Sequence, residues 1–226
     1  MLVITLVIVI VLIIVLLEYY ILLEPQLDSC FYNAMQVEPK LYSVYNYNLI
    51  SDIKCIHNEI WKDWPEKELY NENMMSWKIL PFYGFGKWIE TYCRLCPNIF
   101  NFLKNIPTLK TASLSKLSGG TKLTPHRGWG NLSNNVIRCH FGITVPDTCY
   151  ISVKNSEEEP EEIRIQKQNE WLLFDDSKIH YAHNTSNKDR IVLLLDIERP
   201  KFIKKGTSTV TDTSELKHII DYFHKL

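Results

Sequence analysis

Apolar positions change their pattern three times along the chain. Residues 1–17 (MLVITLVIVIVLIIVLL) are apolar almost without a break, and Ile21, Leu22 and Leu23 extend the run past Glu18, Tyr19 and Tyr20. About 20 apolar residues span a bilayer core as a helix, and a Tyr pair suits the interfacial belt. The pattern therefore predicts an uncleaved transmembrane signal anchor over residues 1–23. A cleaved signal peptide would carry a basic start and a small-residue cleavage site, whereas Glu24-Pro25-Gln26-Leu27-Asp28 follows directly. Residues 24–50 are mixed and Tyr-rich and read as a tether. Helical spacing then appears at Ile53, Ile56, Ile60 and Trp61, and again at Leu69 and Met74. Asp63-Trp64-Pro65 marks a break, because the residue before a proline avoids the helical region. Trp77 to Tyr83 alternates as a strand, with Gly84 and Gly86 in the turn after it. Lys87 to Cys96 and Pro97 to Ile106 read as helices, the second opened by its proline.

From about Lys110 the pattern becomes that of short strands: Val136 to Val145, Thr148 to Lys154, Ile163 to Lys167, Glu170 to Phe174 and Arg190 to Ile197. Closely spaced strands with turn signals predict a β-sandwich or barrel. The acidic run Glu157 to Glu162 around Pro160 reads as a solvated loop, and Ser214 to Leu226 as a short amphipathic helix. The folded body is assigned to residues 51–226.

Composition narrows the classes. The 226 residues suit one domain with an appendage, and 46% hydrophobic against 23% charged residues excludes disordered and fibrous chains. A formal net charge of -1 leaves no electrostatic footprint for nucleic acid. No Lys or Arg precedes the apolar run, while Glu18, Glu24 and Asp28 follow it. This favours a single-pass membrane protein with its body lumenal or extracytoplasmic. The six cysteines are not spaced as in a small stapled domain, and Cys93-Arg94-Leu95-Cys96 has no second pair to complete a zinc site.

Three segments carry candidate chemistry. In Val136-Ile137-Arg138-Cys139-His140-Phe141, Arg138 and His140 lie two apart and share one strand face. An inward-facing cationic pair needs an anionic partner, and periodicity alone favours the opposite arrangement, with Cys139 and Phe141 in the core. Pro125-His126-Arg127-Gly128-Trp129-Gly130 is a Gly-rich turn with one histidine. Phe174-Asp175-Asp176-Ser177-Lys178-Ile179-His180-Tyr181-Ala182-His183 offers two histidines, of which a strand would turn at most one inward. Arg190 follows His180 by ten residues and opens an apolar strand.

Together, SKLSGGTKLTPHRGWG, LSNNVIRCHFGITVP, EWLLFDDSKIHYAHN and DRIVLLLDIERP closely resemble the aspartyl/asparaginyl β-hydroxylase family over about Trp77 to Pro200. The resemblance implies a double-stranded β-helix (jelly roll) with flanking N-terminal helices, and an iron(II)- and 2-oxoglutarate-dependent dioxygenase. His126 and His180 match the metal ligands. Gly128 stands where most relatives in the wider oxygenase class place a carboxylate, in agreement with the nearer family, and Asp175 and Asp176 are read as shaping the loop before His180. Arg190 matches the contact to the distal carboxylate of 2-oxoglutarate, Ser115 a serine at a cosubstrate carboxylate, and Arg138 and His140 further cosubstrate contacts, which turns that pair inward. The stretch around Trp129 to Asn134 is longer than in the animal enzymes.

The implied reaction is hydroxylation of an unactivated carbon with dioxygen, most simply on Asp or Asn side chains of a peptide or protein. A membrane-lipid acyl chain is the alternative substrate, and a non-catalytic, membrane-anchored jelly-roll binding protein is the alternative class. Asn131-Leu132-Ser133 and Asn184-Thr185-Ser186 are glycosylation sequons beside the proposed site.

Overall fold

A computed structural model describes residues 6–14, 25–70, 75–211 and 213–224. The chain divides into two compact units, Met1–Asp28 with Pro200–Lys204, and Ser29–Arg199 with Lys205–Leu226.

In the first unit, residues 6–14 form a helix whose side chains are exposed. Leu27 donates to Phe202 (2.8 Å) and accepts from Lys204 (3.0 Å), and Lys204 pairs with Asp28 at 3.0 Å. The expected single-pass membrane placement is corrected here: no helix among the described residues is long and apolar enough to cross a membrane. The rest of the expected anchor, residues 1–5 and 15–23, lies outside the described residues.

The second unit is mainly β, as expected, and every strand pair in it is antiparallel. Its strands are β1 (Phe31–Tyr32), β2 (Lys62–Asp63), β3 (Trp77–Gly84), β4 (Lys87–Trp88), β5 (Leu109–Leu117), β6 (Val136–Thr144), β7 (Cys149–Lys154), β8 (Glu162–Ile165), β9 (Trp171–Phe174), β10 (Ile179–Asn184) and β11 (Arg190–Glu198). The larger sheet runs β1-β9-β6-β11-β5-β3-β2, with β4 pairing β3, and the smaller runs β10-β7-β8. Trp77, Leu117 and Phe174 from the larger sheet pack with Ile151, Val153, Tyr181 and Ala182 from the smaller. Two sheets therefore face each other across one core, as a jelly roll requires.

Local chemistry accounts for most boundaries. Phe85 (φ 51) and Gly86 (φ 78) take the left-handed turn between β3 and β4. Pro97 opens the helix Pro97–Leu103 at a position whose N–H would be unbonded in any case. The two helices expected between Ser51 and Met75 are shorter than their apolar spacing suggests. Among the described residues only Leu49–Lys54 is α-helical there, Met74 lies outside them, and β2 pairs Lys62 and Asp63 with Ile79 and Lys78. Trp64 then donates its N–H to Trp77 (2.8 Å), so an edge pairing wins over helix continuation ahead of Pro65. The stretch expected as a tether contributes β1, which pairs with β9, and two short helical segments, Ala34–Val37 and Pro39–Asn46.

Strand β6 is buried on both faces. Tyr45 and Trp171 pack on Phe141 from outside (5.8 and 5.0 Å between rings), and Trp171 meets Phe102 of Pro97–Leu103 at 6.2 Å. Cys139 and Phe141 fill that outer layer while Arg138 and His140 face the core between the sheets. Periodicity pointed the other way because the helices covering the sheet erase the alternation.

Candidate active site

Backbone pairing brings the two histidines together. His126 and His180 form an isolated antiparallel bridge, donating to each other's carbonyls at 3.0 and 2.8 Å. Their rings lie 4.4 Å apart between centroids, inclined by 56°. Each Nδ1 sits on the carbonyl two residues before it, Thr124 O at 2.7 Å and Lys178 O at 2.9 Å. A carbonyl only accepts, so both Nδ1 atoms carry the proton and both Nε2 lone pairs are left for a Lewis acid. Burial and the neighbouring His180 hold His126 down to about 3, and burial holds His180 down to about 4, so both imidazoles are neutral near pH 7. His183, three residues on, points outward, with Tyr150 Oη 3.1 Å from its Nδ1.

The FDDS segment is an electrostatic corner. Asp175 takes a two-pronged pair from Arg199 (2.9 and 2.6 Å) and accepts from Ser177 N and Oγ (3.0 and 2.6 Å). Asp176 pairs with Arg138, and its Oδ1 lies 3.3 Å from His180 Nε2. Arg138 also makes a two-pronged pair with Asp196 on the adjacent strand (2.9 and 3.0 Å). Burial opposes the Arg138 charge, but Asp176 and Asp196 outweigh it and hold the guanidinium above its usual range. Arg138, expected as a cosubstrate contact, is thus already paired on two sides. A Cβ at Gly128 would collide with the Asp176 carboxylate, which occupies the space a side chain at that position would need.

Across the cavity Arg190 is 2% exposed, and among the described residues no carboxylate pairs with it. Its Nη1 donates to Gln166 Oε1 (3.0 Å) and its Nη2 to Ser115 Oγ (3.4 Å), while its Nε has no partner among the described residues. Burial lowers the guanidinium to about 10. Ser115 Oγ also accepts from Trp77 Nε1 (3.1 Å), which leaves its own proton to donate. His140 is buried, and its Nε2 also lacks a partner among the described residues. One cavity is lined by His126 and His180 together with Arg138, His140, Ser115 and Arg190. All six residues expected from the sequence therefore meet in a single space. Asp176, Asp196 and Gln166 were not singled out as binding groups. For Asp196 a signal existed, a carboxylate inside the apolar run RIVLLLDIE.

The donor chemistry fits an iron(II) ion held by two neutral imidazoles. No group of three or more His, Cys, Asp or Glu side chains suited to a metal occurs among the described residues. The buried guanidinium without a carboxylate, beside the unpartnered His140 nitrogen, fits a small carboxylate ligand such as 2-oxoglutarate.

An apolar cleft adjoins this cavity, and Trp77, Arg138 and Leu194 line both. Trp64 stacks between Trp77 (4.5 Å) and Trp129 (5.8 Å) along its wall. Glu66 fixes two of these rings by accepting from Trp64 Nε1 (3.2 Å) and Trp129 Nε1 (3.0 Å). The stretch around Trp129 to Asn134, marked by its length, supplies Trp129 and Leu132 to the cleft. The sequon residue Asn184 is fully buried and donates to Leu117, Ser118 and Lys188 carbonyls, so its amide is not open to a glycan.

A family model described as aspartyl/asparaginyl beta-hydroxylase matches residues 48–200. The ornithine lipid ester-linked acyl 2-hydroxylase of Rhizobium tropici is 35% identical over 127 residues, covering 55% of this chain and 42% of that protein. Aspartate beta-hydroxylase domain-containing protein 2 of Mus musculus is 33% identical over 134 residues, covering 55% of this chain and 36% of that protein. The matched region thus spans less than half the length of these curated relatives. An oxidoreductase of the 2OG-Fe(II) oxygenase family from Burkholderia pseudomallei superposes with a TM-score of 0.49 at 7% identity, over 69% of this chain and 81% of that one.

Proposed function

The chain belongs to the aspartyl/asparaginyl β-hydroxylase family, and from that premise we propose that it is an iron(II)- and 2-oxoglutarate-dependent oxygenase that hydroxylates an unactivated carbon. One observation carries the reading: a single cavity has two neutral, Nδ1-anchored imidazoles at one place and a buried guanidinium without a carboxylate at another. His126 and His180 would hold the iron, and Arg190, Ser115 and His140 the 2-oxoglutarate. When bound, iron(II), 2-oxoglutarate and dioxygen supply the oxidation, one oxygen atom going to the substrate carbon and the other to succinate as carbon dioxide leaves. The protein's own part is positional. The carbonyls of Thr124 and Lys178 fix the imidazoles, Asp176 and Asp196 immobilise Arg138, and Ser115 braces Arg190 through its hydroxyl.

For the substrate, family resemblance suggests an Asp or Asn side chain of a peptide, but the cleft supports a second reading better, the acyl chain of a lipid. Its walls are aromatic and aliphatic, and its charged lining residues, Arg138 and Asp196, are paired with each other. Among the described lining residues a substrate carboxylate would find no free cation, whereas an alkyl chain would exchange water for indole faces. The relative named as a lipid acyl 2-hydroxylase is consistent with this.

The test is anaerobic loading with iron(II), then conversion of 2-oxoglutarate to succinate in air with acyl lipids or Asp/Asn peptides. Turnover lost in His126→Ala and stimulated by acyl lipid supports the reading. Stimulation by peptide alone returns the substrate to the peptide class. A folded protein that neither binds nor converts 2-oxoglutarate would be a binding jelly roll.

A further inference from the structure

Gln166 is 3% exposed and stands at the end of β8, where it touches two of the groups facing the cavity. Its Oε1 lies 3.0 Å from Arg190 Nη1, and its Nε2 lies 3.0 Å from His140 Nδ1. A guanidinium can only donate, so the glutamine oxygen must face Arg190 and the amide nitrogen must face His140. That nitrogen donates, so His140 Nδ1 accepts and carries no proton. A neutral imidazole then holds its proton on Nε2, the ring atom with no partner among the described residues. Burial, followed by Arg190 and Arg138, keeps this ring well below its ordinary range, so it is neutral and one tautomer suffices.

We propose that Gln166 is a positioning residue of the anion pocket: its amide locks His140 as the Nε2–H tautomer and orients Arg190, so that both present donors to one carboxylate-bearing ligand. The ligand part rests on reading the cavity as a 2-oxoglutarate site, whereas the tautomer follows from the donor chain alone. A glutamine suits this task because only an amide offers an acceptor to the guanidinium and a donor to the ring at once. The isosteric carboxylate would accept from both neighbours. It would thereby draw the His140 proton to Nδ1, turn Nε2 into an acceptor, and give Arg190 an internal anion in competition with the ligand.

The two parts are tested separately on the full chain. Long-range proton–nitrogen spectra of the metal-free protein should report His140 as Nε2–H in the wild type and protonated at Nδ1 in Gln166→Glu. Calorimetric titration of 2-oxoglutarate into the anaerobic iron(II) protein should show binding weakened roughly 10- to 100-fold in both Gln166→Glu and Gln166→Leu. Should Gln166→Leu fail to fold, the isosteric Gln166→Glu carries both readouts. Wild-type binding with unchanged affinity in Gln166→Glu, or an unchanged tautomer, overturns the proposal and leaves the cosubstrate reading standing. A wild type that binds no 2-oxoglutarate overturns the cosubstrate reading itself, and the role of Gln166 with it.

Discussion

The carboxylate of Asp176 lies in the volume that a side chain at Gly128 would occupy. The glycine two residues after His126 and the aspartate four residues before His180 are therefore one spatial feature written in two places. Removing the Cβ at 128 is what lets Asp176 reach Arg138 and come within 3.3 Å of His180. Gly128→Ala should push the carboxylate aside, strain the loop and loosen the Arg138 pair, costing about 1–3 kcal/mol in chemical denaturation. A substitution without effect would show that Asp176 has room to move.

Arg190→Ala should act on the cosubstrate more than on the fold. The guanidinium has no carboxylate to leave stranded, and Ser115 and Gln166 lose only one bond each. The expected result is a rise of about 10- to 100-fold in the 2-oxoglutarate concentration needed for half-maximal turnover. Arg190→Lys should recover only part of it, because an ammonium cannot make the two-pronged contact. Unchanged dependence on 2-oxoglutarate would remove Arg190 from the pocket.

Two of the strands that carry site residues are poorly marked in the sequence. β6, β9 and β11 stand out as β-branched or aromatic runs, because buried apolar residues such as Ile137, Cys139 and Phe141 on the outer face of β6 keep the run continuous even where Arg138 and His140 turn inward. β5 and β10 do not. They place Ser115 and His180 inward, and those polar positions blur the alternation that marks a strand. The pairing of Arg138 with both Asp176 and Asp196 was beyond reach for another reason. Residues 138 and 196 become neighbours only through the β6–β11 register. Gln166 sits in a polar stretch, RIQKQNE, that reads as surface. Family resemblance gathered the residues proposed to contact ligands, and the structure adds the groups that hold those residues in place.

Asp196 should be among the costlier single truncations. It is 1% exposed, holds Arg138 through two bonds and accepts from Thr111 at 2.7 Å. Asp196→Ala leaves a buried guanidinium with half its compensation, a loss of about 3–5 kcal/mol. The double variant Arg138→Met/Asp196→Leu removes both charges of that pair and should recover a large share of the stability but not the activity. Urea denaturation of the wild type, the single variants Arg138→Met and Asp196→Leu and the double variant measures the coupling, and strictly additive losses would refute it.

Acid should weaken the metal-free protein at pH values still above the usual carboxylate range. His126, His140 and His180 are all held below the usual imidazole range, chiefly by burial. Below about pH 6.5 the unfolded chain takes up protons that the folded one refuses. Stability conferred by the neutral rings is therefore complete above that pH and is lost as pH falls toward 3 to 4, by about 1.4 kcal/mol per unit for each ring. Asp176 runs the other way: burial raises its carboxyl, so the folded state holds that proton longer and offsets part of the loss. The net expectation is a falling melting temperature between pH 6.5 and 5, a slope reduced in His126→Gln/His180→Gln. A flat profile in the wild type would mean that the rings are hydrated enough to protonate in place. The neutral, ligand-ready pair at the centre of the site would then have to be abandoned.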